Sequence, residues 1–177
     1  MASDPIHTAT EQWFVARTRV PRQETKICDW LNNHGVETFV PWTRSGRKRT
    51  AGRRPSSERP AIPNLIFLKT DKETACSFIT VNSLPVKYVI DCATHRMMVV
   101  PEKEMSDFQR VFDLSKDHGG LMDQPLELGD RVRIIKGALR GIEGYVVEIL
   151  GRYYVAVSLL GVLWAKAQVP KAWLEKI

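Results

Sequence analysis

Apolar and polar positions along this chain follow two main periods. Alternation in twos, or a short apolar run, marks a strand; apolar residues three and four apart mark a helix with one buried stripe. After a polar start, read as a flexible tail over residues 1–11, residues 13–19 form a strand rich in aromatic and β-branched side chains, with Arg17 and Arg19 on one face. Pro21 is placed to open a helix, since its missing N–H costs nothing there. Ile27, Trp30 and Leu31 give that helix its stripe, and Gly35 its left-handed cap. Residues 36–41 follow as a strand. Residues 61–69 are apolar nearly throughout, the pattern of a central strand covered on both faces, with Pro63 at its start. Asp71 is placed to cap a second helix with Ala75, Phe78 and Ile79 inward. Residues 86–90 and 97–100 read as strands joined by a turn at 91–96. Pro101 opens a third helix, with Glu102 and Glu104 in its first turn and Met105, Phe108, Val111 and Phe112 on its buried face.

This order predicts an α+β fold: an N-terminal domain over residues 12–113 with a mostly antiparallel sheet and flanking helices. Periodicity is lost after Asp113, so residues 114–125 read as a linker. From 126 to 177 every element is short and strand-like, which predicts a small β-barrel. Val132 and Ile134 alternate with charged residues, Gly129-Asp130 precedes them, and Gly137, Gly141 and Gly144 stand at turn positions after them. Strands at 143–150, 152–159, 162–167 and 173–176 complete the barrel, with Gly151 and Gly161 at turns.

Charge changes the picture at one place. The chain carries a formal +6, which favours anionic partners, and the bias peaks at 43–60. There Arg44, Arg47, Lys48, Arg49, Arg53, Arg54 and Arg59 face the single acid Glu58. The segment reads either as a solvated loop or as a phosphate-contacting patch at a hairpin tip. No apolar run reaches membrane length and the first residues lack a signal peptide's pattern, so a soluble cytoplasmic protein is expected, with no membrane partner. Cys28, Cys76 and Cys92 are too scattered for a disulfide scaffold or a metal site. No paired carboxylates, phosphate loop or nucleophile elbow stands out, so neither a cofactor nor an enzyme is expected.

Two stretches carry a family resemblance. Gly129-Asp130-x-Val132-x-Ile134-x-x-Gly137, followed by Gly141 and Gly144, resembles the KOW motif. Trp13-Phe14-Val15, Val40-Pro41, Pro63-Asn64-Leu65-Ile66-Phe67 and Ser83-Leu84-Pro85-Val86 resemble the NusG N-terminal domain. Together they cover nearly the whole chain after the tail, and the resemblance implies a NusG-type domain followed by an SH3-like KOW barrel. Softer matches at 36–41, 64–67 and 99–105 are similar to the UpxY group, NusG-like antiterminators of capsular-polysaccharide operons in Bacteroides-type bacteria.

The resemblance implies a transcription elongation or antitermination factor that acts without catalysis, as a monomer. Its N-terminal domain would dock on the clamp helices of RNA polymerase through Ile62, Pro63, Leu65, Val86 and Tyr88. Arg17, Arg19 and Arg22, with Arg47, Lys48, Arg49, Arg53 and Arg54, would contact non-template DNA or nascent RNA. The barrel would hold a ribosomal protein or the termination factor Rho through Leu139, Arg140, Leu159, Leu160 and Val162. Two positions depart from the family: Ala138 stands where a proline is frequent, and Val162 where general NusG proteins carry a basic residue. A ribosomal-type KOW protein gripping RNA directly is the alternative.

Overall fold

Residues 13–16 are buried one after another, and a strand hides consecutive side chains only when both its faces are covered. That strand, β1 (Gln12–Thr18), opens the computed structural model, which describes residues 10–44, 58–115, 121–122, 129–161 and 163–177. After it come α1 (Glu24–Asn33), β2 (Glu37–Phe39), β3 (Trp42–Arg44), β4 (Glu58–Pro60), β5 (Leu65–Thr70), α2 (Lys72–Thr80), β6 (Val86–Tyr88), β7 (Val99–Val100) and α3 (Glu102–Ser115). Then follow β8 (Leu121–Met122), β9 (Arg131–Ile134), β10 (Glu143–Ile149), β11 (Arg152–Leu159), β12 (Leu163–Gln168), a 3-10 turn at Lys171–Trp173 and β13 (Leu174–Lys176). Residue contacts divide the chain into two units: Met1–Val40 with Ile62–Pro101, and Pro41–Ala61 with Glu102–Ile177. Among the described residues no helix is long and apolar enough to cross a membrane.

In the first unit the strand order is β2-β5-β1-β6, every pairing antiparallel. β7 also pairs with β1, so one edge of β1 carries β6 at Ala16–Thr18 and β7 at Trp13 and Phe14. The core includes Phe14, Ile66, Phe67 and Leu68 from the sheet, Ile27 and Leu31 from α1, and Ala75 and Phe78 from α2. Trp30 meets Phe78 edge to face at 5.8 Å, joining the two helices. Asp71 caps α2 as its position predicts: its Oδ1 accepts from Thr74 N at 2.9 Å. Gly35 takes φ +77 after α1, with Val36 N donating back to Leu31 O. The predicted start of α1 is corrected. Arg22 adopts φ 62, a left-handed conformation that no helix continues through, so α1 begins at Glu24 rather than at Pro21.

The second unit holds a six-stranded antiparallel sheet of the predicted small-barrel kind, ordered β13-β9-β10-β11-β12-β8. It also includes β3 and β4, paired from Trp42↔Pro60 to Arg44↔Glu58. These strands flank the basic segment; Arg47, Lys48, Arg49, Arg53 and Arg54 lie outside the described residues. Met105, Phe108, Val111 and Phe112 of α3 are all at most 1% exposed, and α3 packs on β11 and β12. The apolar stripe is covered by the C-terminal strands, and residue contacts group α3 with the second unit. Within the expected linker, α3 runs to Ser115 and Leu121–Met122 pairs with β12.

Two glycines differ from one another in what they do. Gly137 is a turn residue at φ +82, with the Trp173 ring where a side chain would begin. Gly144 is not in a turn. It lies inside β10 opposite Val132, and a Cβ there would stand 2.5 Å from the Ala156 carbonyl oxygen.

Glu143 lies directly across from Arg133. Its Oε1 accepts from Arg133 Nη2 at 2.8 Å and its Oε2 from Arg131 Nη2 at 3.2 Å. The hydrogen bond from Arg133 is the main reason its carboxyl is held below the usual carboxylate range. A depressed folded value means the pair stabilises fully above the ordinary glutamate value of about 4.3 and is lost as pH falls through the lower folded value. Glu143→Gln should therefore lower the melting temperature slightly at neutral pH, where the pair is intact, and flatten the fall on acidification, so that the two proteins converge at low pH. An acid limb identical to wild type would show that the pair adds nothing.

Candidate functional site

The surface with most functional promise in the first unit is organised by a buried polar knot. Glu24 opens α1 yet is only 4% exposed, and its Oε1 accepts from Asn64 N at 2.7 Å. Asn64 sits at φ 65, a conformation that asparagine tolerates better than most side chains. Its carbonyl accepts from Thr18 N at 2.9 Å, and its Oδ1 is 3.2 Å from Thr18 Oγ1. Helix, turn and central strand are thus tied at one residue. The knot fixes the turn that carries Ile62, half-buried, and Pro63, exposed. Sequence reasoning missed Glu24, because a glutamate in a first helical turn has the same pattern whether it faces water or the protein.

Beside that turn, β1 and β6 carry unbalanced positive charge. Arg17 stands directly across from Lys87, both exposed. Like charges directly opposite in a sheet repel, and neither has a carboxylate partner among the described residues. Arg19 is exposed and donates from Nε to Val86 O at 3.2 Å, and Arg22 is exposed at its left-handed turn. The structure therefore brings Arg17 and Arg19 together and adds Lys87, which alternation along β6 could have revealed.

Three expected docking residues are in the core. Leu65 is 8%, Val86 1% and Tyr88 6% exposed. The Tyr88 hydroxyl donates to Ala75 O at 2.7 Å and its ring meets Phe14 at 6.1 Å, so it bridges β6 to α2. Burial pushes its phenol far above the ordinary tyrosine value. A short apolar strand has one pattern whether its residues are core or surface anchors. Here all three sit on strands paired with β1, Tyr88 reaches α2 as well, and of the expected docking residues Ile62 and Pro63 are left accessible.

On the barrel, Leu139 and Leu159 are likewise buried, at 7% and 1% exposure. Arg140 is exposed and Leu160 half-buried at φ 54, its N–H donating to Glu104 Oε1 on α3. Val162 lies outside the described residues. The most exposed large apolar residue among the described ones is Leu150, at 98%. Leu150 and Gly151 form the two-residue turn between β10 and β11, both at positive φ, as this hairpin type requires. The Leu-Gly pair between two strand patterns was its signal.

Comparison with known proteins gives a consistent result. A family model described as transcription termination factor nusG matches residues 11–109, more than half of the 177-residue chain. No curated protein matches the sequence. A solved structure of Thermotoga maritima NusG, described as showing domain interaction in that protein, aligns with 95% of this chain and 98% of its own. The two are 18% identical, with a TM-score of 0.50, a likeness of fold.

Proposed function

The chain belongs to the NusG family of transcription factors, and from that premise we propose a factor that binds RNA polymerase through its N-terminal sheet unit and promotes elongation through pauses and terminators. The observation that carries the reading is the family match over residues 11–109, which spans every strand of the first sheet. Ile62 and Pro63 supply an accessible apolar edge for a polymerase helix. Arg17, Arg19, Lys87 and Arg22 supply charge for the non-template strand or nascent RNA. The segment with Arg47, Lys48, Arg49, Arg53 and Arg54 adds positive charge of its own. The barrel recruits a second protein, such as a ribosomal protein or Rho, through Arg140, Leu160 and the projecting Leu150. The similarity to UpxY proteins points to one operon class, capsular-polysaccharide genes, as the regulated target.

Transcription in vitro through a leader pause followed by a terminator tests this reading. Added protein should raise full-length product several-fold, and Pro63→Asp should remove the effect while leaving the melting temperature unchanged. Unaltered pausing and readthrough with folded wild-type protein would refute it.

A further inference from the structure

One groove lies wholly within the second unit. It has a volume of about 730 Å³ and runs along the start of β11, the end of β12 and the turn after it. Its wall includes Arg152, Tyr153, Tyr154, Lys166, Gln168 and Lys171. Neighbours on a strand point to opposite faces, so a groove lined by both Tyr153 and Tyr154 takes in both faces of β11 at its start. Each ring is paired with a cation: Lys166 Nζ lies 5.2 Å from the Tyr154 centroid and Lys171 Nζ 5.2 Å from that of Tyr153. Among the described residues none of the three cations has a carboxylate partner.

We propose that this groove binds a single strand of nucleic acid, its bases stacking on Tyr153 and Tyr154 and its phosphates met by Arg152, Lys166 and Lys171. Aromatic platforms interleaved with cations are the equipment of sequence-tolerant single-strand binding. Each lysine lies over the face of its ring, so a base that takes that face moves the lysine outward, where its charge meets the phosphate of the stacked nucleotide. Gln168, opposite Tyr154 in the sheet, adds a hydrogen-bonding amide. An acidic peptide would satisfy the cations but leave two tyrosine faces unused. A duplex presents its bases already stacked on one another. The site is independent of polymerase docking, so either can fail without the other.

Fluorescence anisotropy with labelled U12 RNA and dT12 DNA tests the proposal, using the full chain with Arg17, Arg19, Arg22, Arg47, Lys48, Arg49, Arg53, Arg54 and Lys87 changed to serine so that the other proposed nucleic-acid contacts are removed. Arg152→Glu with Lys171→Glu, both at exposed positions, should weaken binding about tenfold or more and lower the salt slope by roughly 1.4, the share of two phosphate contacts to a single strand. Tyr154→Leu should weaken it about tenfold, while Tyr154→Phe, which keeps the ring, should stay near the parent. Equal binding of the two oligonucleotides would assign recognition to features they share, and preference for U12 would assign the site to transcripts; either supports the groove. Unchanged affinity in the folded double charge reversal would overturn it, as would a poly-glutamate peptide or a duplex competing as well as the single strands.

Discussion

Gly144→Val is expected to disrupt the sheet of the second unit. A side chain at this position meets the Ala156 carbonyl oxygen at 2.5 Å and Val155 Cγ1 at 2.8 Å. A flexible side chain could swing aside, but a backbone carbonyl locked in the β10–β11 ladder cannot. Relief requires β10 to move from β11 along a pairing that runs from Tyr145↔Ala156 to Ile149↔Arg152. Overpacking costs typically ~1–3 kcal/mol. With backbone as the obstacle we expect the upper end, a fall in melting temperature on the order of 10–20 °C for a unit of this size. Gly151→Asn is the matched control: Gly151 has positive φ but open space around it, and asparagine accepts that conformation. Thermal melts followed by circular dichroism decide the matter. If Gly144→Val melts within about 3 °C of wild type, the strands are not held at this spacing.

That glycine marks where sequence reading stopped. The KOW-type spacing identifies Gly144 as special, but a turn glycine and a close-approach glycine look alike in one dimension. The stripe of α3 shows the same boundary. Its four apolar residues announce a buried face at the right positions, yet an amphipathic pattern carries no address for what covers it, and α3 proves to pack on β11 and β12. Local chemistry was the most legible: Asp71 caps, Gly35 ends a helix, and the turn at Asp91 is held by its own carboxylate accepting from Ala93 N at 2.7 Å. Each of these depends on a few adjacent residues. The candidate site was less legible because Leu65, Val86 and Tyr88 owe their burial to elements far away in sequence. The cation pair Arg17–Lys87 arises from strand register, and the tyrosine–lysine contacts from β11 meeting β12 and the turn after it, which no single stretch of sequence displays.

Glu24→Ala should destabilise the first unit by about 2 kcal/mol, because it removes a charged acceptor and leaves the Asn64 N–H without its partner in a largely buried knot. The cause can be separated from lost packing. Glu24→Gln keeps an oxygen at the same reach, so at least half of the loss should return. Asn64→Gly should be close to neutral: glycine relieves the left-handed strain and keeps both backbone bonds, giving up only the weak contact with Thr18 Oγ1. Urea titrations of the three variants test this pattern, and equal losses for alanine and glutamine would show that the hydrogen bond is not the source. The consequence reaches function through the turn the knot holds. Ile62 and Pro63 can present a fixed edge only while Asn64 keeps its conformation. Glu24→Ala protein should therefore bind polymerase more weakly at temperatures well below its melting point, with Glu24→Gln recovering binding in the same proportion as stability.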